Sequence, residues 1–332
     1  MRKSVVALVV ILATISANAE PANQTEKSGK PRIAQSAPLR TPDGHPDLQG
    51  VWTNDTLTPL ERPKEFAGKA FFDPSEQPAF EAAAFGYFLA NLGDENRTTS
   101  GDGGFGVIEL VTVMPDRRTS LLVDPQNGAL PPLLPTAQRH RDDSVEHKRQ
   151  HVADGPEDFD VSERCISWPS PPMLPPPENA HLRIVQTHDY VVIHTELFGE
   201  ARIVPLDGRP HLPSGMRAWK GDSRGRWEAD TLVIETNNFR SQHNYGELDL
   251  LKGADESLRV IERFTLVDAD RILYRFTVDD PTAYASAWTA ELPFSRSTKP
   301  MFEFACHEGN YSLKNSLTGA RAMERKKAAD PQ

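Results

Sequence analysis

The chain has 332 residues, 38% of them hydrophobic and 25% charged, with a formal net charge of −10. That length allows one large domain or two small ones. The acidic balance argues against nucleic acid and against anionic membrane surfaces as partners, because neutralising phosphate needs clustered Lys and Arg.

Arg2 and Lys3 form a basic start, Val5–Ile15 is apolar, and Ala17-Asn18-Ala19 offers small residues at a cleavage site. This pattern reads as a secretory signal peptide over 1–19. The apolar run of about 11 residues is short of the roughly 20 that span a bilayer. Cleavage after Ala19 removes two basic residues and leaves a more acidic mature chain, expected in the periplasm or outside the cell and without a membrane span. Residues 20–40 are polar and read as a disordered leader. A single domain is expected over 41–320, followed by a polar tail, 321–332.

Within the domain a short strand is expected at Gly50–Thr53. Residues 55–165 read as a helical and loop segment covering one mouth of a barrel built by the later strands. Asp73-Pro74-Ser75-Glu76 starts a helix, and Ala79–Leu92 carries Phe80, Ala84, Tyr87 and Phe88 at helical spacing. Gly101–Gly106 is a loop, Thr119–Val123 a strand, and Ala137–His151 a polar helix. The proline-rich run Pro169–Pro177 is extended.

From His181 the period changes to two. Strands are expected at His181–Thr187, Tyr190–Leu197, Ala201–Leu206, Gly225–Glu228, Thr231–Thr236, Leu258–Leu266, Ile272–Val278, Trp288–Phe294 and Phe302–His307, separated by Asp, Gly and Asn turns. Such an antiparallel meander over 181–308 leaves an open edge unless it closes. The fold class is therefore mainly β: a meander closing into a lipocalin-like barrel, with a β-sandwich as the alternative. Gly50-Val51-Trp52 resembles the Gly-x-Trp of lipocalin first strands.

Cys165 and Cys306 are the two thiols, neither in a CxxC pair. In an oxidising compartment they are expected to form one disulfide, tying the segment before the barrel to the last strand.

Ionisable residues on apolar strand faces mark candidate chemistry, because a buried carboxylate must be paired or shifted in pKa. Glu262 interrupts the face Leu258, Val260, Phe264, Leu266. The next strand's face reads Ile272, Tyr274, Phe276, Val278, Asp280, and Glu303 shares a side with His307. Glu262, Tyr274, Asp280, Glu303 and His307 are expected to converge inside the barrel, or each acid to form a structural ion pair with Arg259, Arg263 or Arg275. Asp207, Arg209 and His211 lie in a turn at a rim, a carboxylate, an anion clamp and a base. His307-Glu308 stands at the far end. Trp219 and Trp288 are read as core or ligand wall, with Tyr274 and Glu303 as ligand contacts. His140, His147 and His151 share a helix face, but Lys148-Arg149 stand where an HExxH motif has its carboxylate, so no metal site is assigned. GxSxG, P-loop and GxGxxG signatures are absent, which disfavours elbow-type serine hydrolases, nucleotide binding and dinucleotide chemistry.

Several segments resemble, in order, those of a large family of secreted bacterial proteins: Leu48–Asn54, Arg118–Ser120, Glu163–Cys165, Ala201–His211 (ARIVPLDGRPH), Gly221–Val233 (GDSRGRWEADTLV), Ser257–Phe264, Asp279–Pro281 with Trp288-Thr289, and Ala305–Tyr311 (ACHEGNY). The resemblance covers nearly all of the mature chain and brings no reaction with it. In that family the stretch matching Gly101–Met114 carries aromatic and acidic residues. Here it is Gly-rich and then apolar, which implies a different substrate if that segment helps form the site.

The expectation is an exported enzyme without an organic cofactor, acting by general acid–base catalysis on a small organic substrate such as a plant- or lignin-derived aromatic or a glycoside. Glu262 or His211 would be the base, Asp280, Glu308 or His307 the acid, and Arg209 the stabiliser of negative charge; lyase, hydrolase and isomerase chemistry all stay open. The alternative is a calycin-like carrier that binds a small molecule without turnover.

Overall fold

A computed structural model describes residues 39–91, 112–168, 171–176, 180–240 and 257–329. The expected signal peptide, the leader up to Pro38 and the Gly101–Gly106 loop lie outside the described residues.

Alternating strands, each with a single apolar face, build one ten-stranded antiparallel sheet. Its strands are β1 (Gly50–Thr53), β2 (Leu122–Asp124), β3 (His181–Gln186), β4 (Tyr190–Thr195), β5 (Ala201–Pro205), β6 (Asp222–Glu228), β7 (Thr231–Asn237), β8 (Arg259–Asp268), β9 (Arg271–Asp279) and β10 (Trp288–Arg296). The order is β5-β4-β3-β1-β10-β9-β8-β7-β6, with β2 also pairing β10. The sheet curls into a nearly closed barrel, as the alternation implies. The meander does not close first strand to last, however. The N-terminal β1 is inserted between β3 and β10, and the gap falls in mid-meander, between β5 and β6.

That seam is closed by side chains. A Cβ on Gly225 of β6 would sit 2.6 Å from Leu206 Cδ2 and 2.9 Å from Val204 Cγ1, so only glycine lets the two ends of the sheet approach this closely. At one barrel end the Arg296 guanidinium lies 4.2 Å from the Trp52 ring centroid and donates to the Gln49 and Ala269 carbonyls.

The interior is filled. Trp52, Ile184, Ile193, Val204, Ile234, Val260, Phe264, Ile272, Phe276, Trp288, Leu292 and Phe294 are all essentially inaccessible to solvent. Phe264, Tyr274, Phe276 and Phe294 are packed ring against ring at 4.8–6.1 Å. Barrels of this size hold either packed side chains or one small ligand; among the described residues this one holds side chains.

Among the described residues three α-helices accompany the sheet: α1 (Gln77–Asn91), α2 (Pro135–Gln150) and α3 (Ser312–Ala329). Phe80 and Ala84 of α1 bury against Phe66 and Phe72 in a separate small cluster, with Phe72 and Phe80 stacked at 4.6 Å. Helix α3 runs through much of the expected polar tail, has no buried residue, and is tied to the loop after α2 by Arg321, which donates to the Ala153 and Asp154 carbonyls.

The expected strand Phe302–His307 does not form, and the segment is coil and turn. The reason is topological. One edge of β10 pairs β9, and the other is shared by β1 and β2, so no edge of β10 remains for a following strand. The segment is held by two other contacts, the Cys165–Cys306 disulfide and a 5.1 Å stack of Phe304 on Phe198. The disulfide thus forms as expected, but it anchors a loop and not a last strand.

Candidate functional site

The inward acid of β8 is where alternation puts it. Glu262 is inaccessible to solvent and is held by three donors: the Arg202 guanidinium at 2.5 and 2.9 Å, and the Tyr274 hydroxyl at 2.8 Å. The Tyr274 oxygen in turn accepts the Met173 N–H at 3.0 Å. Burial works against charge on Arg202, but the Glu262 carboxylate outweighs it and holds the guanidinium above its ordinary value. Burial, and then the Glu262 charge, push the Tyr274 phenol well above its usual range. The expected structural partners are corrected. Arg259, Arg263 and Arg275 alternate outward and pair with Glu235, Glu228 and Glu291, while Arg202 reaches Glu262 from β5 across the interior. With both carboxylate oxygens engaged in a packed interior, Glu262 reads as a structural ion pair and not as an exchanging base.

The expected five-residue convergence does not occur. Only Glu262 and Tyr274 meet. Asp280 is buried at the end of β9, where one oxygen accepts from the Thr282 and Ala283 N–H groups and the Thr282 hydroxyl, a turn-capping arrangement. Glu303, His307 and Glu308 are exposed on the segment that fails to become a strand. Trp288 is core, packed edge-to-face on Phe276 and Tyr284. Trp219 is half-buried with the Arg240 guanidinium 4.6 Å from its ring.

At the rim, Asp207 and Arg209 satisfy each other across the Gly208 turn, both exposed. His211 has a different partner. Its Nδ1 lies 2.8 Å from Asp222, whose carboxylate is nearly buried and also takes the Leu212 N–H and the Arg224 guanidinium. Glu235 stands 4.0 Å from the other ring nitrogen. His147 and His151 stack at 4.5 Å and each faces an aspartate, Asp158 and Asp154. Among the described residues no group of three or more metal-ligating side chains assembles.

A concave site lies elsewhere among the described residues, over the ends of β1, β3 and β4. A shallow cleft with a cavity volume of about 30 Å³, open to solvent, is lined by Asn54, Trp168, Met173, Leu174, His181 and Leu197 among others. Its wall is the loop after Cys165. Glu200 holds that loop: it accepts from the Ser167 hydroxyl (2.9 Å) and the Trp168 N–H (3.0 Å) and pairs with Lys220 (2.9 Å), whose ammonium also donates to the Trp168 carbonyl. Burial lowers the Lys220 pKa despite the Glu200 charge. Asn54 donates to the Met173 carbonyl and ties the wall to the end of β1.

His181, the first residue of β3, is the ionisable side chain on this cleft. Its Nε2 lies 3.0 Å from the Ser297 hydroxyl, and its Nδ1 lies 3.5 Å from Glu196. Glu196 follows β4, its N–H bonded to the His181 carbonyl, and enters a tight turn in which Phe198 takes a left-handed φ of 64°. A bulky side chain in that region is costly and is retained where surroundings enforce it; here Phe198 is stacked on Phe304, on the loop that carries Cys306.

Sequence reasoning missed His181, Glu196, Ser297, Glu200 and Lys220. His181 alternates with Arg183 and Val185, so it reads as outward-facing. It is buried only because loops cover that end of the sheet. The one available signal was a His-bearing strand start directly after a proline-rich run.

The described residues contain no helix long and apolar enough to cross a membrane. The sequence matches no family model, and neither curated proteins nor solved structures show significant similarity to it.

Proposed function

We propose that this is an exported enzyme that holds a small organic molecule in the cleft bordered by Trp168 and Leu197 and acts on it with His181 as general acid–base. The observation that carries the reading is His181 itself. It is an imidazole on a cleft wall with a carboxylate on one ring nitrogen and a hydroxyl on the other, the arrangement that fixes tautomer and orientation for proton transfer. At about 30 Å³ the cleft is far smaller than a ligand site of several hundred Å³ and would seat one group of a molecule bound at the surface; its apolar wall with a few polar groups suits a small, partly aromatic one. Export is supported by the basic and apolar leader with its Ala17-Asn18-Ala19 site and by the disulfide, a bond of oxidising compartments. Moving the base from Glu262 to His181 follows from placement: Glu262 is enclosed in the packed interior, while His181 lines the cleft.

A thermal-shift screen of plant phenolics and glycosides tests the cleft. A ligand should raise the Tm of the wild type and fail to raise that of Leu174→Trp, which places an indole in the cleft. Equal shifts in both proteins would place binding elsewhere.

The His211–Asp222 pair favours a second reading, acid–base chemistry on the outer face of β6 and β7, where Glu235 supplies an opposed carboxylate. In that case His211→Asn, and not His181→Asn, abolishes turnover. The carrier alternative requires a ligand that binds in the cleft and is recovered unchanged.

A further inference from the structure

The three side chains at the cleft end of the sheet come from three separate strands. Ser297 directly follows β10, His181 begins β3 and Glu196 follows β4. All three alternate onto the outer face, on either side of β1, where Ser297 is bonded to Val51 and Thr53 is in register with His181. The Ser297 Oγ to His181 Nε2 distance is 3.0 Å, and the His181 Nδ1 to Glu196 distance is 3.5 Å. Ser297 Oγ accepts the Lys299 N–H at 3.1 Å, which leaves its own proton free to be donated to Nε2 in the tautomer a triad requires. Nδ1 then carries the other proton and faces the carboxylate. A nucleophile within hydrogen-bond reach of a base, with a third group orienting that base, is the triad arrangement. It is recognised by geometry and roles and not by sequence motif. The missing GxSxG elbow therefore does not count against it, since that motif belongs to one fold's way of presenting the serine.

We propose that Ser297, His181 and Glu196 form a hydrolytic triad and that the substrate class is a small carboxylic ester with an aromatic or short aliphatic acyl group. This rests on the cleft reading and narrows it to acyl transfer. Of the three residues His181 lines the cleft, where Trp168, Leu174 and Leu197 give an apolar wall, and Ser297 lies next to it across the imidazole and outside that lining. Ser297 Oγ adds to the ester carbonyl carbon as its proton passes to His181 Nε2. The adduct collapses with cleavage of the C–O bond, and the departing alcohol takes that proton. Water then adds to the acyl-serine and gives a proton to His181. Collapse returns that proton to Ser297 and releases the carboxylic acid. Glu196 acts as a positioning residue that stabilises the imidazolium.

The test treats the mature chain with a fluorophosphonate and maps the adduct by peptide mass spectrometry, alongside hydrolysis of p-nitrophenyl butyrate. The expected result is an adduct on Ser297, absent in Ser297→Ala and in His181→Asn, with hydrolysis falling by about 10²-fold or more in each variant. Ser297 is partly exposed, so Ser297→Ala should keep the wild-type Tm, and a loss of rate at unchanged Tm is a chemical loss. Glu196→Gln should lower kcat with little change in KM, which a purely structural tie would not do. No adduct on Ser297, or full hydrolysis by Ser297→Ala, overturns the triad. If Ser297→Ala keeps turning over a cleft substrate that His181→Asn does not, the triad fails while the acid–base reading of His181 stands.

Discussion

Replacing Glu262 with Gln separates a structural from a catalytic role for the one acid that alternation places inside the barrel. The substitution keeps the shape and removes the charge. One Arg202 N–H then meets an amide N–H₂, donor against donor, and the guanidinium is left in the interior without its counter-charge. Breaking one side of a buried pair costs about 3–5 kcal/mol. At roughly 2–4 °C per kcal/mol for a domain of this size, the Tm should fall by about 6–20 °C. Removing both charges, Arg202→Met with Glu262→Leu, should recover about half of that. What remains is roughly the 1–3 kcal/mol of a Tyr274 hydroxyl left without its acceptor. Differential scanning calorimetry reads the stability, and turnover measured well below each variant's Tm reads the chemistry. A Glu262→Gln protein melting within about 2 °C of wild type would refute the structural assignment. So would a fully folded variant that has lost about 10²-fold or more in rate, the loss expected of a removed base.

Three further outcomes rest on the same geometry. Gly225→Val puts carbons where Leu206 and Val204 already lie, so it should open the β5–β6 seam and cost about 1–3 kcal/mol or more, read as a lower urea midpoint; an unchanged midpoint would mean the seam is not closed by this contact. Cys165→Ser with Cys306→Ser removes a cross-link over a separation of 141 residues, worth about 5 kcal/mol in the chain-entropy account, and should also reduce cleft activity, because the loop after Cys165 forms the cleft wall; wild-type melting in the double variant would contradict this. The Arg259 guanidinium holds Glu235 below its ordinary value of 4.5, so this pair contributes stability above that pH and loses it as pH falls through the depressed folded value. Urea midpoints between about pH 6 and pH 3 should therefore fall less steeply in Glu235→Gln than in wild type, and equal slopes would remove the pair from the acid limb.

The strands from His181 to Phe294 were legible because each buries one face, so every second residue is apolar, and Glu262 was legible as the exception on such a face. Its partner was not, because Arg202 lies 60 residues away on the opposite wall and meets it only once the sheet curls. The strand proposed for Phe302–His307 has the right alternation, but the edges of β10 are already taken by β9, β1 and β2, a fact of topology that no local pattern carries. Helix α3 has good helix formers but no buried face, so periodicity gave no sign of it. The triad was hidden for a related reason: Ser297, His181 and Glu196 sit at strand ends on the outer face, and their proximity is set by β1 entering between β3 and β10.

The most direct test of the cleft assignment is kcat/KM for wild type, His181→Asn and His211→Asn on the first compound that an LC–MS screen shows to be consumed. The account predicts a loss of about 10²-fold or more in His181→Asn and near-wild-type values in His211→Asn. Unchanged turnover in a folded His181→Asn protein, with the loss in His211→Asn instead, would contradict it.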